Sequence, residues 1–173
     1  MATEIERKFL LDEPPDGLQD HTAKRIEQGY LAIRESVEVR LRKLEDRRLL
    51  TAKVGHGESR VEVEIPLGIN QFDALWPLTE SRRLRKTRYL VPLGDGLVAE
   101  VDVFEEDLAG LVTAEVEFDS ERQSHEFQPP GWLGKEVTGD GRYANQSLAS
   151  AGVQLFSSRQ NGSIEIWRPA PIA

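Results

Sequence analysis

Glu4, Glu6 and Lys8 fall at alternate positions near the start of the chain. On a β-strand, that spacing turns two acids and a base to one face and Ile5, Arg7 and Phe9 to the other. The same device recurs downstream, in Glu38, Arg40 and Arg42, in Glu62 and Glu64, in Lys86 and Arg88, in Glu100 and Asp102, and in Glu115 and Glu117. Taken singly, each pair is an ordinary solvated strand face. Taken together, carboxylates stacked on neighbouring strands repel one another by about a kcal/mol per pair near a surface unless cations stand between them. The bases on these faces, Lys8, Arg40, Arg42, Lys53, Lys86 and Arg88, suit phosphate oxygens, and several around one ligand imply more than one phosphoryl group. The combined chemistry is that of a triphosphate in a basic cradle beside carboxylate-held divalent metal, Mg²⁺ or Mn²⁺ before zinc.

Composition removes several competing chemistries. Cysteine is absent, so thiolate zinc sites, disulfides and cysteine nucleophiles are excluded. His21, His56 and His125 lie far apart without the spacing of a zinc-binding pair, and read as surface residues. No phosphate-binding GxxxxGK[ST] loop, GxGxxG turn, kinase HRD or DFG element, or GxSxG elbow occurs. Thirty acids against 22 bases leave a net charge of −8, which argues against nucleic acid as a partner, while the clustering of the bases suits a small anion. No long apolar run and no leader-like segment is present, so neither a membrane nor secretion is expected, and the cytoplasm is the default location.

Positioning these residues falls to strands. Period-two patterning and turn residues predict eight, over about 3–11, 26–33, 37–44, 48–54, 59–66, 85–92, 97–104 and 112–118. Gly94-Asp95-Gly96 reads as a hairpin turn, and Pro14-Pro15-Asp16-Gly17 and Gly55-His56-Gly57 as further breaks. Short helices are expected after Asn70, carrying Phe72, Leu75 and Trp76, after Asp119, and from Tyr143 to Ala151. The fold class is mainly β (α+β): a closed eight-stranded antiparallel β-barrel whose charged faces line a tunnel, with a few short peripheral helices. The barrel domain spans 1–152, and 153–173 forms a tail in which Ser163 to Trp167 reads as a short strand or an ordered tail segment.

The ordered set Glu4-Ile5-Glu6-Arg7-Lys8-Phe9, Gln28-Gly29-Tyr30-Leu31, Glu38-Val39-Arg40-Leu41-Arg42, Thr51-Ala52-Lys53, Glu62-Val63-Glu64, Lys86-Thr87-Arg88-Tyr89, Glu100-Val101-Asp102-Val103-Phe104, Glu115-Val116-Glu117-Phe118 and Glu136-Val137-Thr138 resembles the CYTH domain, the triphosphate tunnel metalloenzyme superfamily, through about Ser147. The short bacterial inorganic triphosphatases are the most similar members. The resemblance implies metal coordination by Glu4, Glu6, Glu62, Glu64, Glu115 and Glu117 with Asp102 in support. It implies phosphate binding by Lys8, Arg40, Arg42, Lys53, Lys86 and Arg88, with Tyr30 in the tunnel near the chain being cleaved. Gly141 departs from the family, in which a lysine is common between Asp140 and Arg142.

The leading expectation is therefore a metal-dependent triphosphatase removing the terminal phosphoryl group, with Lys53 or a carboxylate at Glu115/Glu117 orienting the attacking water. A class IV adenylyl cyclase, making cyclic AMP and diphosphate from ATP, shares the cradle but needs an adenine site, and no purine-binding motif is evident. Thiamine triphosphatase needs an aromatic platform, for which Trp76 and Trp132 are available. A non-catalytic polyphosphate- or nucleotide-binding module would use the bases without the acids. Assembly is open between a monomer and a homodimer.

Overall fold

The structure, a computed structural model, describes residues 5–34, 37–56 and 59–151. Glu4 and the segment 152–173, including the short strand or ordered tail expected from Ser163 to Trp167, lie outside the described residues. Nine strands make one antiparallel sheet: β1 (Ile5–Leu11), β2 (Thr22–Arg34), β3 (Val37–Leu44), β4 (Arg47–His56), β5 (Ser59–Pro66), β6 (Arg83–Gly94), β7 (Leu97–Phe104), β8 (Val112–Phe118) and β9 (Lys135–Glu136). Helices α1 (Ile69–Leu75), α2 (Glu121–Glu126) and α3 (Asn145–Ala151) are short. None of the described helices is long and apolar enough to cross a membrane.

The strands run in the order β5-β4-β3-β2-β6-β7-β8-β1-β9. The mainly β, antiparallel tunnel fold is as expected, although the sheet is not strictly closed: among the described residues no ladder joins β5 to the far end of the sheet. A short segment docks on the outer edge of β1. There β9 pairs with Phe9 and Leu10, Val137 N donates to Lys8 O at 2.8 Å, and Lys8 N donates to Thr138 Oγ1 at 3.0 Å. The segment 135–138 thus satisfies the Lys8–Leu10 stretch of this edge. Gly134 lets that segment approach, with φ +68° and space so tight that a Cβ would stand 2.4 Å from Leu10 O.

Each face of the sheet is set by alternation. Phe9, Leu11, Tyr89, Val91, Val101, Val103, Val112, Ala114 and Val116 point outward and pack with Leu18 and Leu133 in a buried cluster, against which Phe127 and Trp132 rest. The outer face of β4 and β5 is left open, with Val54, Val61, Val63 and Ile65 exposed. The opposite face carries the charged residues. Hairpin geometry holds the long strands in register: Asp95 and Gly96 both have positive φ between β6 and β7, the backbone of a two-residue type I′ turn. The helix starts differ from expectation by one or two residues. Gly68 precedes α1 and its N–H bonds Gln71 Oε1 at 2.8 Å, while α2 is capped by Ser120, whose Oγ accepts from Gln123 N at 3.2 Å.

Along four strands the inner face passes from charged to apolar: Glu6, Lys8, Leu10 on β1; Arg88, Lys86, Leu84 on β6; Asp102, Phe104 on β7; Glu117, Glu115, Thr113 on β8, with Leu111 just before it. Leu10, Leu84, Phe104 and Leu111 meet Tyr30, Val137 and, from α3, Leu148 and Ala149 in a second buried cluster. The charged tunnel thus has an apolar floor at one end, sealed by α3.

Candidate functional site

The inner face assembles two ionic chains. In the first, Lys8 Nζ on β1 meets Glu115 Oε1 on β8 at 2.8 Å, and the other Glu115 oxygen accepts from Arg88 Nη2 on β6 at 2.9 Å. Arg88 also forks onto Asp102 of β7, with Nε to Oδ1 at 2.7 Å and Nη2 to Oδ2 at 2.7 Å. Lys86 Nζ reaches Asp102 Oδ2 at 2.5 Å, with both side chains fully buried, and Glu100 also bonds Arg88. The register places these residues in adjoining rows, since Lys8 pairs with Glu115, Glu115 with Glu100, and Asp102 with Arg88.

The second chain crosses β5, β4 and β3. Glu62 receives Lys53 Nζ at 2.5 Å and Arg40 Nη2 at 3.5 Å, and Arg40 Nη1 lies 3.5 Å from Glu38. Glu64 accepts from Thr51 Oγ1 at 3.3 Å. Ladder pairs Thr51–Glu64, Lys53–Glu62 and Arg40–Thr51 put all of these on the same face.

Arg42 joins neither chain. Among the described residues no carboxylate lies within ion-pair distance of it, and its buried Nε has no acceptor. Burial, and then the neighbouring cations Arg40 and Arg88, push its guanidinium down to about 10. Glu64 attracts it without outweighing these effects, and a largely buried guanidinium so poorly compensated is a site prepared for an anion.

Lys86 titrates low as well, at about 8, because burial outweighs the attraction of Asp102. Burial alone would raise the Asp102 and Glu115 carboxyls. Instead Arg88 and Lys86 hold Asp102 below the usual carboxylate range, and Lys8 with Arg88 holds Glu115 well below it. Both remain anions, occupied by bases. Tyr30 is the reverse case: burial lifts its phenol well above the ordinary range, so it stays protonated.

The structure therefore brings together Lys8, Arg40, Arg42, Lys53, Lys86, Arg88, Tyr30, Glu62, Glu64, Asp102 and Glu115 on one lined face. Glu6 sits at its rim opposite Glu117 in the β1–β8 ladder. His21 is half-buried in a separate outer pocket of about 480 Å³ that includes Asp12 and Trp132, and His125 is exposed, so neither joins the tunnel. Sequence reasoning missed Gln28, which is wholly buried and donates from Nε2 to Tyr30 Oη at 2.8 Å. Its period-two spacing from Tyr30 was the available signal, and the lack of charge hid it.

The donor set fits a hard cation. Glu6, Glu62, Glu64 and Glu117 supply only oxygens, and among the described residues no three acids or histidines are gathered closely enough to enclose an ion alone. A cation here would complete its shell from water and phosphate, which suits Mg²⁺ or Mn²⁺ and not a structural zinc.

Comparison with known proteins gives concordant results. The family model described as the CYTH domain matches residues 2–145. The inorganic triphosphatase of Nitrosomonas europaea is 48% identical over 148 residues, covering 85% of this chain and 97% of the relative. That of Acetivibrio thermocellus is 35% identical over 152 residues, covering 86% and 94%. A crystal structure of an inorganic triphosphatase superposes with a TM-score of 0.68 at 46% identity, covering 87% of this chain and 96% of the other.

Proposed function

Because the chain belongs to the CYTH domain family, we propose that it is a metal-dependent hydrolase that removes the terminal phosphoryl group of inorganic triphosphate, with Mg²⁺ or Mn²⁺ as cofactor. The observation that carries this reading is Arg42, a largely buried cation with no carboxylate in ion-pair distance among the described residues and two other arginines acting on it. A polyanion supplies the missing charge. The names of the two bacterial relatives and the extent of the matches support triphosphate as that anion.

In this reading the bases divide by what already holds them. Lys8, Lys86 and Arg88 are oriented by Glu115 and Asp102, so their remaining donors are aimed before the substrate arrives. Asp102, buried and saturated by Lys86 and Arg88, is a positioning residue and not a metal ligand. Arg40 and Lys53 are held by Glu62 and Glu38 and complete the opposite wall. Glu4, Glu6, Glu62, Glu64 and Glu117 hold the metal, which when bound neutralises phosphate charge and activates water.

The reaction is displacement at the terminal phosphorus. A water oxygen bonds to phosphorus as the bridging P–O bond breaks, and diphosphate leaves with the bonding electrons. The cationic walls stabilise the charge that accumulates on the leaving diphosphate. Lys53 and Glu117, at the wall and rim, orient the water, and its proton passes by a rim carboxylate to solvent. Glu115 is unsuited as a base because Lys8 and Arg88 keep it a weak one. The apolar floor confines the substrate to a compact chain entering from the open end. The catalytic unit is the domain 1–152, and the enzyme works in the cytoplasm on a small triphosphate without nucleic acid.

The test is a substrate screen with triphosphate, ATP and thiamine triphosphate, each with Mg²⁺, with Mn²⁺ and with chelator. Metal-dependent phosphate release fastest from triphosphate, without cyclic AMP from ATP, is expected. Cyclic AMP formation would give the chain to the cyclase reading, and tight binding without turnover would make it a binding module.

A further inference from the structure

Two buried polar groups beside the arginines of β3 are left with capacity that no described residue uses. Tyr30 has no exposed surface, and its hydroxyl accepts from Gln28 Nε2 at 2.8 Å with the Arg40 guanidinium beside it. Both neighbours are donors. No acceptor for the phenol proton exists among the described residues. The Gln28 side chain is equally buried, and its Oε1 has no donor.

Local backbone fixes this arrangement. Gln28 and Tyr30 flank Gly29, where a Cβ would stand 2.4 Å from Thr79 Oγ1, so the turn at 76–79 presses on the outer side of β2 at this point. Tyr30 N bonds Arg82 O at 3.0 Å, and a register shift follows between Tyr30 and Ala32. The ladder sets Gln28 opposite Arg42 and Tyr30 opposite Arg40. Arg42 carries only donors, an environment that suits the amide oxygen of Gln28 and leaves the nitrogen for Tyr30. With its lone pairs turned to donors, the hydroxyl must send its proton elsewhere.

We propose that Gln28 is a positioning residue for triphosphate hydrolysis: its amide holds the Tyr30 hydroxyl so that the phenol proton is donated to an oxygen of the innermost phosphoryl group. The claim deepens the triphosphatase reading and rests on it. The innermost group is specified because Tyr30 also belongs to the apolar floor, with Leu84, Phe104 and Leu148. A phosphate oxygen arriving there supplies the acceptor that Tyr30 lacks, and a hydrogen bond from a buried neutral donor to an anion strengthens as water is excluded. Tyr30 touches substrate; Gln28 acts only through it.

A double-mutant cycle on the full chain tests this, using Gln28→Met, Tyr30→Phe and the pair, with steady-state hydrolysis of triphosphate in Mg²⁺ and calorimetric binding of triphosphate as readouts. Methionine keeps the length of glutamine and removes its hydrogen bond. Each single variant should lose roughly ten- to a hundredfold in kcat/KM, the worth of a hydrogen bond to a charged group. The pair should be no worse than Tyr30→Phe, because without the hydroxyl there is nothing for Gln28 to hold. Additive losses, or a Gln28→Met enzyme with wild-type kcat/KM, overturn the proposal. Should Gln28→Met fail to fold, Gln28→Leu and Gln28→Asn take its place in the same cycle and are read in the same way. A wild-type chain that neither binds nor cleaves triphosphate sinks the functional reading and this proposal with it, whereas a wild-type chain that cleaves it beside an unaffected Gln28→Met sinks this proposal alone.

Discussion

Asp102 bonds Lys86 at 2.5 Å while clasping Arg88 through both of its oxygens, and neither Asp102 nor Lys86 has any side-chain exposure. One carboxylate thus holds two cations of the cradle. Replacing it with asparagine keeps the shape and removes the charge that compensates them. Breaking a buried pair in this way costs about 3–5 kcal/mol. Asp102→Asn should melt well below wild type and bind triphosphate more weakly, since Arg88 is no longer aimed. Unchanged thermal melting together with a normal KM and altered metal dependence would return Asp102 to the metal ligands.

The pH dependence follows from Lys86. Its folded pKa lies at about 8, below the ordinary lysine value. Lys86 is therefore a cation below about pH 8 and loses its proton above it. In the free enzyme kcat/KM should fall above about pH 8, while the limb in kcat should lie higher, because a bound polyanion favours the charged form. The sign for stability is opposite to that for activity. A buried ammonium disfavours the fold, so this group's penalty is complete below pH 8 and fades as pH rises from there toward the unfolded value. Lys86→Arg should move the kcat/KM limb upward. Rate profiles of the two enzymes between pH 6 and about 10 decide the matter, and superimposable limbs would detach the titration from Lys86.

Arg42 separates binding from stability. Replacing a buried charge that has no ion-pair partner among the described residues by an apolar side chain of similar length is neutral or stabilising, by up to about 2 kcal/mol here. Arg42→Met should melt at or above the wild-type temperature while its KM for triphosphate rises by roughly tenfold or more. Calorimetric binding and thermal melts on the same preparations check both halves. A destabilised variant with intact affinity would mean that Arg42 serves the fold.

The sequence was informative where alternation was long and turns were sharp. The expected bounds of β3, β5, β7 and β8 coincide with the strands found, because each is an uninterrupted period-two run closed by polar or glycine-bearing turns. β2 begins four residues earlier than expected, at Thr22, since Thr22 to Arg25 shows little apolar alternation of its own and is held by pairing with Leu90 to Arg88 and Thr87 of β6. β9 has two residues and no pattern to detect, yet it adds a ninth strand at the edge of β1. In the site, charge made Lys8, Arg88 and Glu115 legible. What spacing alone did not reveal was allocation: that Asp102 is consumed by Lys86 and Arg88, that Arg42 is left over, and that uncharged Gln28 sits among them.

Following triphosphate by phosphorus NMR in the presence of Mg²⁺ and the full chain tests the central claim most directly. The predicted result is loss of the triphosphate signals with phosphate and diphosphate appearing in equal amounts, abolished by chelator. Triphosphate that persists unchanged in the presence of folded protein and metal would contradict it.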